Sequence, residues 1–131
     1  MKKIEVVAAV IIDNNKYMCV QRGTNSKIYL SEKWEFPGGK IEGNENHTEA
    51  LVREIQEELN MQIEPLNHII TVDHTYPDFQ LVMHAYLSKI IGGEPELTEH
   101  LDLKWLSVDL LSSLDWAAAD IPIVKKIQGN Q

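Results

Sequence analysis

Three glutamates, Glu54, Glu57 and Glu58, stand at the spacing i, i+3 and i+4 within Arg53-Glu54-Ile55-Gln56-Glu57-Glu58. On a helix they share one face, and Leu51, Val52, Ile55 and Leu59 form the adjoining apolar stripe. Like charges at this spacing repel by about 0.2–0.5 kcal/mol per pair, so the face is mildly unfavourable unless a cation covers it. Carboxylate oxygens with no soft ligand nearby suit Mg²⁺, Mn²⁺ or Ca²⁺. Mg²⁺ characteristically takes one or two carboxylates and leaves its other positions to water and substrate phosphates. The plain alternative is a solvated acidic helix face that holds no ion.

The flanks of this run weigh against the plain alternative. Gly39, five residues, Glu45, seven residues, the Arg53-to-Glu58 run, one residue, then Asn60-Met61 resembles the signature of the Nudix hydrolases. One position departs, since the family normally has Gly where this chain has Asn60. Asn is the usual substitute for Gly in the left-handed conformation that ends a helix, so the geometry is expected to survive. Trp34-Glu35-Phe36-Pro37-Gly38-Gly39-Lys40 is similar to the MutT-like branch of the family, and Asp120-Ile121-Pro122 looks more like its CTP pyrophosphohydrolase group. The resemblance runs from about Glu5 through Ile127.

The resemblance implies an α/β/α sandwich around a mixed sheet and a Mg²⁺ cofactor, with Mn²⁺ able to substitute. It implies that Glu54, Glu57 and Glu58 bind the ion with a carbonyl of Gly38 or Gly39, Glu54 serving as a ligand or polarising water. Arg53 would orient a catalytic glutamate by an ion pair. Glu45, ahead of the helix, is expected to be structural or to support the ligands from behind rather than to bind the ion itself. The general base would come from the helix or from Glu99 on a later loop.

For the substrate, Arg22 offers a planar fork and Lys40 a point charge to phosphate oxygens. Tyr76, beside the Pro77-Asp78 turn, is the aromatic expected to stack on a base. Asp120 has two accounts. Before Ile121-Pro122 it fits an N-cap of the last helix. By the resemblance it occupies the segment that reads the base, where an ionised carboxylate can accept from cytosine N4 or from guanine N1 and N2. The implied reaction is Mg²⁺-dependent hydrolysis of a nucleoside triphosphate to the monophosphate and pyrophosphate, favouring CTP, dCTP or a modified cytosine nucleotide. Hydrolysis of 8-oxo-dGTP is the alternative within the enzyme class. A non-catalytic nucleotide-binding module would be marked by loss of these carboxylates, all of which are present.

These residues must be positioned by a chain of 131 residues, one domain's worth, expected to form a single domain over residues 1–131. Ile4–Ile12 is apolar and β-branched, Asp13-Asn14-Asn15 supplies turn chemistry, and Lys16–Arg22 completes a hairpin. Gly23–Ser31 reads as a loop. Asn46 with Glu49 fits a capping box, which predicts a helix over His47–Leu59 that stops at Asn60. Ile63–Tyr76, Phe79–Ile90 and Leu101–Ser107 read as strands, with Gly92-Gly93 breaking the second, while Val108–Leu114 and Ile121–Ile127 read as helices. Strands outnumber helices without regular crossovers, so pattern alone gives α+β.

The net charge of −8 argues against nucleic-acid duplexes but not against a metal-bridged nucleotide. The single Cys19, between Met18 and Val20, is expected in a buried strand. No signal pattern or membrane-length apolar run appears, so a cytoplasmic protein is expected, without a membrane partner and as a monomer or homodimer. The five histidines show no paired metal-ligand spacing and read as structural.

Overall fold

The computed structural model describes residues 1–129. Its organising strand is β1 (Lys2–Asp13), which runs parallel to β6 (Phe79–Gly92), while β6 pairs antiparallel with β5 (Gln62–Thr75). On its other edge β1 joins β2 (Lys16–Gln21) through Asn14 and Asn15, both left-handed at φ 50° and 62°. Successive left-handed residues match the twist of a two-residue hairpin, which is why Asn-Asn works there. Farther back along the same edge the partner changes to β4 (Gly38–Lys40), and β2 turns to β3 (Trp34–Glu35) and β7 (Asp102–Leu106). One parallel pair among antiparallel ones makes the sheet mixed.

The apolar run of β1 is explained by burial on both faces. Val7, Ala9 and Ile11 pack with Ala50, Leu51, Ile55 and Leu59 of α1 (His47–Leu59). Ala8 and Val10 face the other way, into a core with Trp116 and with Ile123, Val124 and Ile127 of α2 (Ile121–Gly129). The result is an α/β/α sandwich around a mixed sheet, as expected. Each fully buried Leu or Ile of the α1 stripe contributes about 1.5–3 kcal/mol, enough to outweigh the repulsion on its acidic face. Among the described residues no helix is long and apolar enough to cross a membrane.

Both ends of α1 follow the expected capping. Asn46 accepts from the Glu49 amide at 2.8 Å while the Asn46 amide donates to Glu49 Oε1 at 2.9 Å. Asn60 closes the helix at φ 54°, ψ 39°, the left-handed conformation for which Asn substitutes for Gly. Cys19 is buried, and burial pushes its thiol up to about 12.

The short helix expected over Val108–Leu114 is present as a 3₁₀ helix, Val108–Ser113, anchored by the buried Leu111. Ser113 Oγ donates to the Leu110 carbonyl at 2.6 Å, the kind of local bond that competes with regular helix. Asp120 does not cap α2, because it closes a 3₁₀ turn, Ala118–Asp120, and its carboxylate bonds elsewhere.

Candidate active site

Helix α1 presents its glutamates at graded depths. Glu57 is exposed, Glu54 is largely covered, and Glu58 reaches into a cleft where its Oε2 is buried with no hydrogen-bond partner among the described residues. Burial, reinforced by the charges of Glu35, Glu54 and Glu99, pushes the Glu58 carboxyl up to about 9, against the opposing pull of a Gly38 backbone hydrogen bond. Glu54 is likewise raised by burial and held back by Arg53. A buried acceptor beside three other carboxylates is a place a cation would satisfy.

The glycines make this approach possible. A Cβ on Gly38 would lie 1.9 Å from the Val7 carbonyl oxygen, and one on Gly39 would lie 2.3 Å from the Glu54 carboxyl carbon. Only glycine lets β4 lie against both β1 and the acidic face. The donor set is all oxygen, from Glu54, Glu57, Glu58 and the backbone of Gly38 and Gly39. It fits a hard divalent cation, and these are the residues that could hold one.

Arg53 ties the acids together. Its Nε and Nη2 reach Glu45 at 2.6 and 2.9 Å, its Nη1 donates to Glu54 at 3.0 Å and Glu57 at 3.2 Å, and Nη2 also donates to the Lys40 carbonyl at 3.0 Å. The fork on Glu45 fixes the guanidinium plane, and the remaining N–H groups set two of the three helix carboxylates. Glu45 therefore acts on the site through Arg53.

The cleft, about 620 Å³, is also lined by Arg22, Lys40, Tyr76, Glu99 and Asp120. Sequence reasoning missed two residues here, Glu35 and His100. Glu35 Oε1 accepts from Arg22 Nη1 at 2.8 Å and its Oε2 lies 3.2 Å from His100 Nε2. The His100 side chain is almost fully buried, and its Nδ1 has no hydrogen-bond partner among the described residues. An acid between buried Trp34 and Phe36, just ahead of two glycines, was the available signal for Glu35. Arg22 is thus partly engaged before any phosphate arrives. Lys33, the base just ahead of Trp34, is committed to Asp115 at 2.8 Å. Lys40 and Glu99 are exposed at the rim.

The far end of the cleft is apolar around a single acid. Asp120 is 4 % exposed and its Oδ2 accepts from the Phe36 amide at 2.9 Å. Burial, with the charge of Glu35, raises its carboxyl well above the usual range. Phe36 stacks on Trp116 at 4.8 Å. Tyr76 is not the open platform expected: it is buried, its ring lies stacked on Tyr29 at 5.1 Å, and its hydroxyl accepts from the Ala119 amide at 3.0 Å. It braces the turn that carries Asp120.

The NUDIX domain pattern matches residues 2–127. The chain is 34% identical over 125 residues to the CTP pyrophosphohydrolase of Escherichia coli (strain K12), covering 95% of this chain and 91% of that one. It is 30% identical over 128 residues to the 8-oxo-dGTP diphosphatase of the same organism, covering 98% of each. The solution structure of a DNA mismatch repair protein MutT (family Nudix hydrolase) from methicillin-resistant Staphylococcus aureus 252 superposes with a TM-score of 0.77 at 40% identity over 100% of both chains. Members of the family generally use divalent cations and act on small nucleotide substrates. With the family pattern spanning nearly the whole chain and relatives covered end to end, this protein belongs to the Nudix hydrolases, in the company of MutT-like nucleotide pyrophosphohydrolases.

Proposed function

We propose that the whole chain acts as one Mg²⁺-dependent nucleoside triphosphate pyrophosphohydrolase, taking CTP, dCTP or a modified cytosine nucleotide to the monophosphate and pyrophosphate. The observation that carries the chemistry is the buried, unpartnered Glu58 Oε2 among Glu35, Glu54 and Glu99. Glu54, Glu57 and Glu58 hold the ion with the backbone of Gly38 or Gly39. When bound, Mg²⁺ supplies positive charge to the phosphate oxygens and acidifies water. Arg53 keeps Glu54 and Glu57 in the geometry the reaction needs. Glu54 or Glu99 takes the proton of water as its oxygen bonds to phosphorus and the phosphoanhydride P–O bond breaks, the bridging oxygen leaving with pyrophosphate. Lys40, and the guanidinium N–H groups of Arg22 not given to Glu35, meet phosphate oxygens.

For the base, Asp120 with the Phe36 amide fixed on Oδ2 leaves Oδ1 to accept from cytosine N4. The CTP pyrophosphohydrolase relative supports this choice. The 8-oxo-dGTP diphosphatase relative supports the rival, because the same carboxylate can meet guanine N1 and N2. Turnover of CTP, 5-methyl-dCTP and 8-oxo-dGTP, followed by pyrophosphate release with and without Mg²⁺, separates them. We expect divalent-dependent pyrophosphate release with the highest kcat/KM on a cytosine nucleotide. Equal or greater activity on 8-oxo-dGTP would move the assignment to the rival, and binding of all three without turnover would make the protein a binding module.

A further inference from the structure

We propose that Glu5, His47 and His84 form a second cation site, outside the cleft, which takes a borderline divalent ion of the Zn²⁺ class and fastens the start of α1 to the sheet. The three side chains come from three elements. Glu5 is on β1, His84 is on β6, and His47 is the first residue of α1. In the parallel β1–β6 ladder Glu5 pairs with Val82 and Val7 with His84, which puts Glu5 and His84 side by side on the face that carries α1. One ligand atom from each of the three lies within 4.8 Å of the others. The histidines carried no metal spacing in the sequence because strand register, rather than helical repeat, brings them together.

The hydrogen bonds around the cluster are those a metal site requires. His84 uses Nδ1 for Thr71 Oγ1, at 2.9 Å, and turns Nε2 toward Glu5 Oε2, at 2.6 Å. His47 uses Nδ1 for the Tyr86 hydroxyl, at 2.8 Å, and its Nε2 makes no hydrogen bond among the described residues. Each imidazole is thus oriented through one nitrogen with the other available, the arrangement in which an outer partner fixes the ligand ring. The rings stack at 4.0 Å with 21° between their planes, and Thr71 is itself held by His68 Nε2 at 2.8 Å. Donors around a tetrahedral Zn²⁺ stand about 3.3–3.5 Å apart. Glu5 Oε2 and His84 Nε2 are already at 2.6 Å, so the separation left to close, at most 4.8 Å, is the one to His47. Closing it takes up to roughly 1.4 Å, by a turn of the His47 ring out of its stack on His84 with adjustment of the half-exposed Glu5 side chain.

Donor chemistry separates this site from the one in the cleft. Two imidazoles and one carboxylate select Zn²⁺, Co²⁺ or Ni²⁺ over Mg²⁺, whereas the glutamates of α1 offer only oxygen. Ligation through Nε2 takes the neutral His84 tautomer whose one proton is on Nδ1, where it donates to Thr71 Oγ1, and the Nε2 lone pair then goes to the ion in place of the hydrogen bond with Glu5. His47 follows Glu45, the anchor of Arg53, by two residues, so an ion here would hold the helix start from which the catalytic face is measured.

The test uses the metal-stripped full chain, titrated with Zn²⁺ by calorimetry in excess Mg²⁺ and with Co²⁺ by visible absorption. We expect one Zn²⁺ equivalent that Mg²⁺ does not displace, a Co²⁺ band of imidazole ligation, and a higher Tm with Zn²⁺. His47→Gln with His84→Gln should weaken that equivalent by at least roughly tenfold and abolish the Co²⁺ band, and Glu58→Gln should leave both in place. Glu5→Gln, at an exposed position, gives the same direction of change should the double variant fold poorly. The proposal is overturned if wild type takes no Zn²⁺ beyond what Mg²⁺ displaces, if the histidine variants retain the equivalent, or if Glu58→Gln removes it.

Discussion

The two ends of the cleft are built differently. The ion-holding part of the proposed phosphate end is drawn from one stretch, Gly38 to Glu58, in which β4, a short loop and α1 follow one another along the chain, with only Arg22 and Glu99 added from elsewhere. The base end is gathered from Phe36 after β3, Tyr76 after β5 and Asp120 before α2, joined by hydrogen bonds that span 84 and 43 residues. A site made from one contiguous stretch depends on local geometry and tolerates little change. A site made from distant pieces depends on the packing that brings them together. Chemistry should therefore fail at the first and selectivity at the second.

The largest effect is expected from Glu57→Gln and Glu58→Gln, each removing a charged oxygen from the proposed ion. Turnover should fall roughly 100-fold or more, the scale of several kcal/mol of charge stabilisation, with the circular dichroism spectrum unchanged. Chelation by EDTA should do the same and be reversed by Mg²⁺. Near-normal turnover in Glu57→Gln would remove the proposed metal site. Arg53→Lys should lower kcat by roughly 10- to 100-fold with little change in KM, since Lys cannot hold Glu45 with a fork and still reach Glu54 and Glu57. A change confined to KM would make Arg53 a substrate contact instead.

The neighbouring glycines divide stability from activity within the same end. Gly38→Ala meets the backbone of β1 at 1.9 Å, which cannot yield without parting the strands. It should destabilise the fold by about 1–3 kcal/mol, as overpacking does. Gly39→Ala meets the end of the Glu54 side chain, which can swing aside. It should leave Tm nearly unchanged and reduce turnover. Thermal melts and steady-state kinetics on the pair check this, and equal loss of stability in both would mean that Glu54 is as rigid as backbone.

Legibility in the sequence followed the same division. The capping box at Asn46, the left-handed close at Asn60 and the i, i+3, i+4 glutamates are local features, and each is present where local rules place it. The hairpin at Asn14-Asn15 is another. Glu35 escaped notice because its importance comes from partners elsewhere in the chain, Arg22 just after β2 and His100 just before β7. Asp120 looked like a helix cap because a carboxylate before Ile-Pro satisfies that rule locally. Its amide partner, Phe36, is reached only when β3 packs against the last turn. The short helix expected over Val108–Leu114 is 3₁₀ in type because one buried leucine and two serines do not sustain a regular apolar stripe.

The smallest and most informative change is at Tyr76. Tyr76→Phe keeps the ring against Tyr29 and removes only the oxygen that accepts from the Ala119 amide. That amide is buried, so leaving it unpaired costs about 1–3 kcal/mol, which a thermal melt would read as a fall of several degrees. The amide lies one residue before Asp120, in a turn otherwise fastened by Ala117 N–H to the Trp34 carbonyl and by Asp120 N–H to the Ala117 carbonyl. Loosening it should blur the position of the carboxylate without touching Glu54, Glu57 or Glu58. The expected result is a narrowed ratio of CTP to 8-oxo-dGTP turnover with kcat on the better substrate within about threefold, a small fraction of the loss from removing a buried pair. If Tyr76 instead stacks directly on the base, Tyr76→Phe would leave the ratio intact and Tyr76→Leu would raise KM for every nucleotide. The two variants together decide whether the base end recognises its ligand through Tyr76 or through the turn that Tyr76 supports.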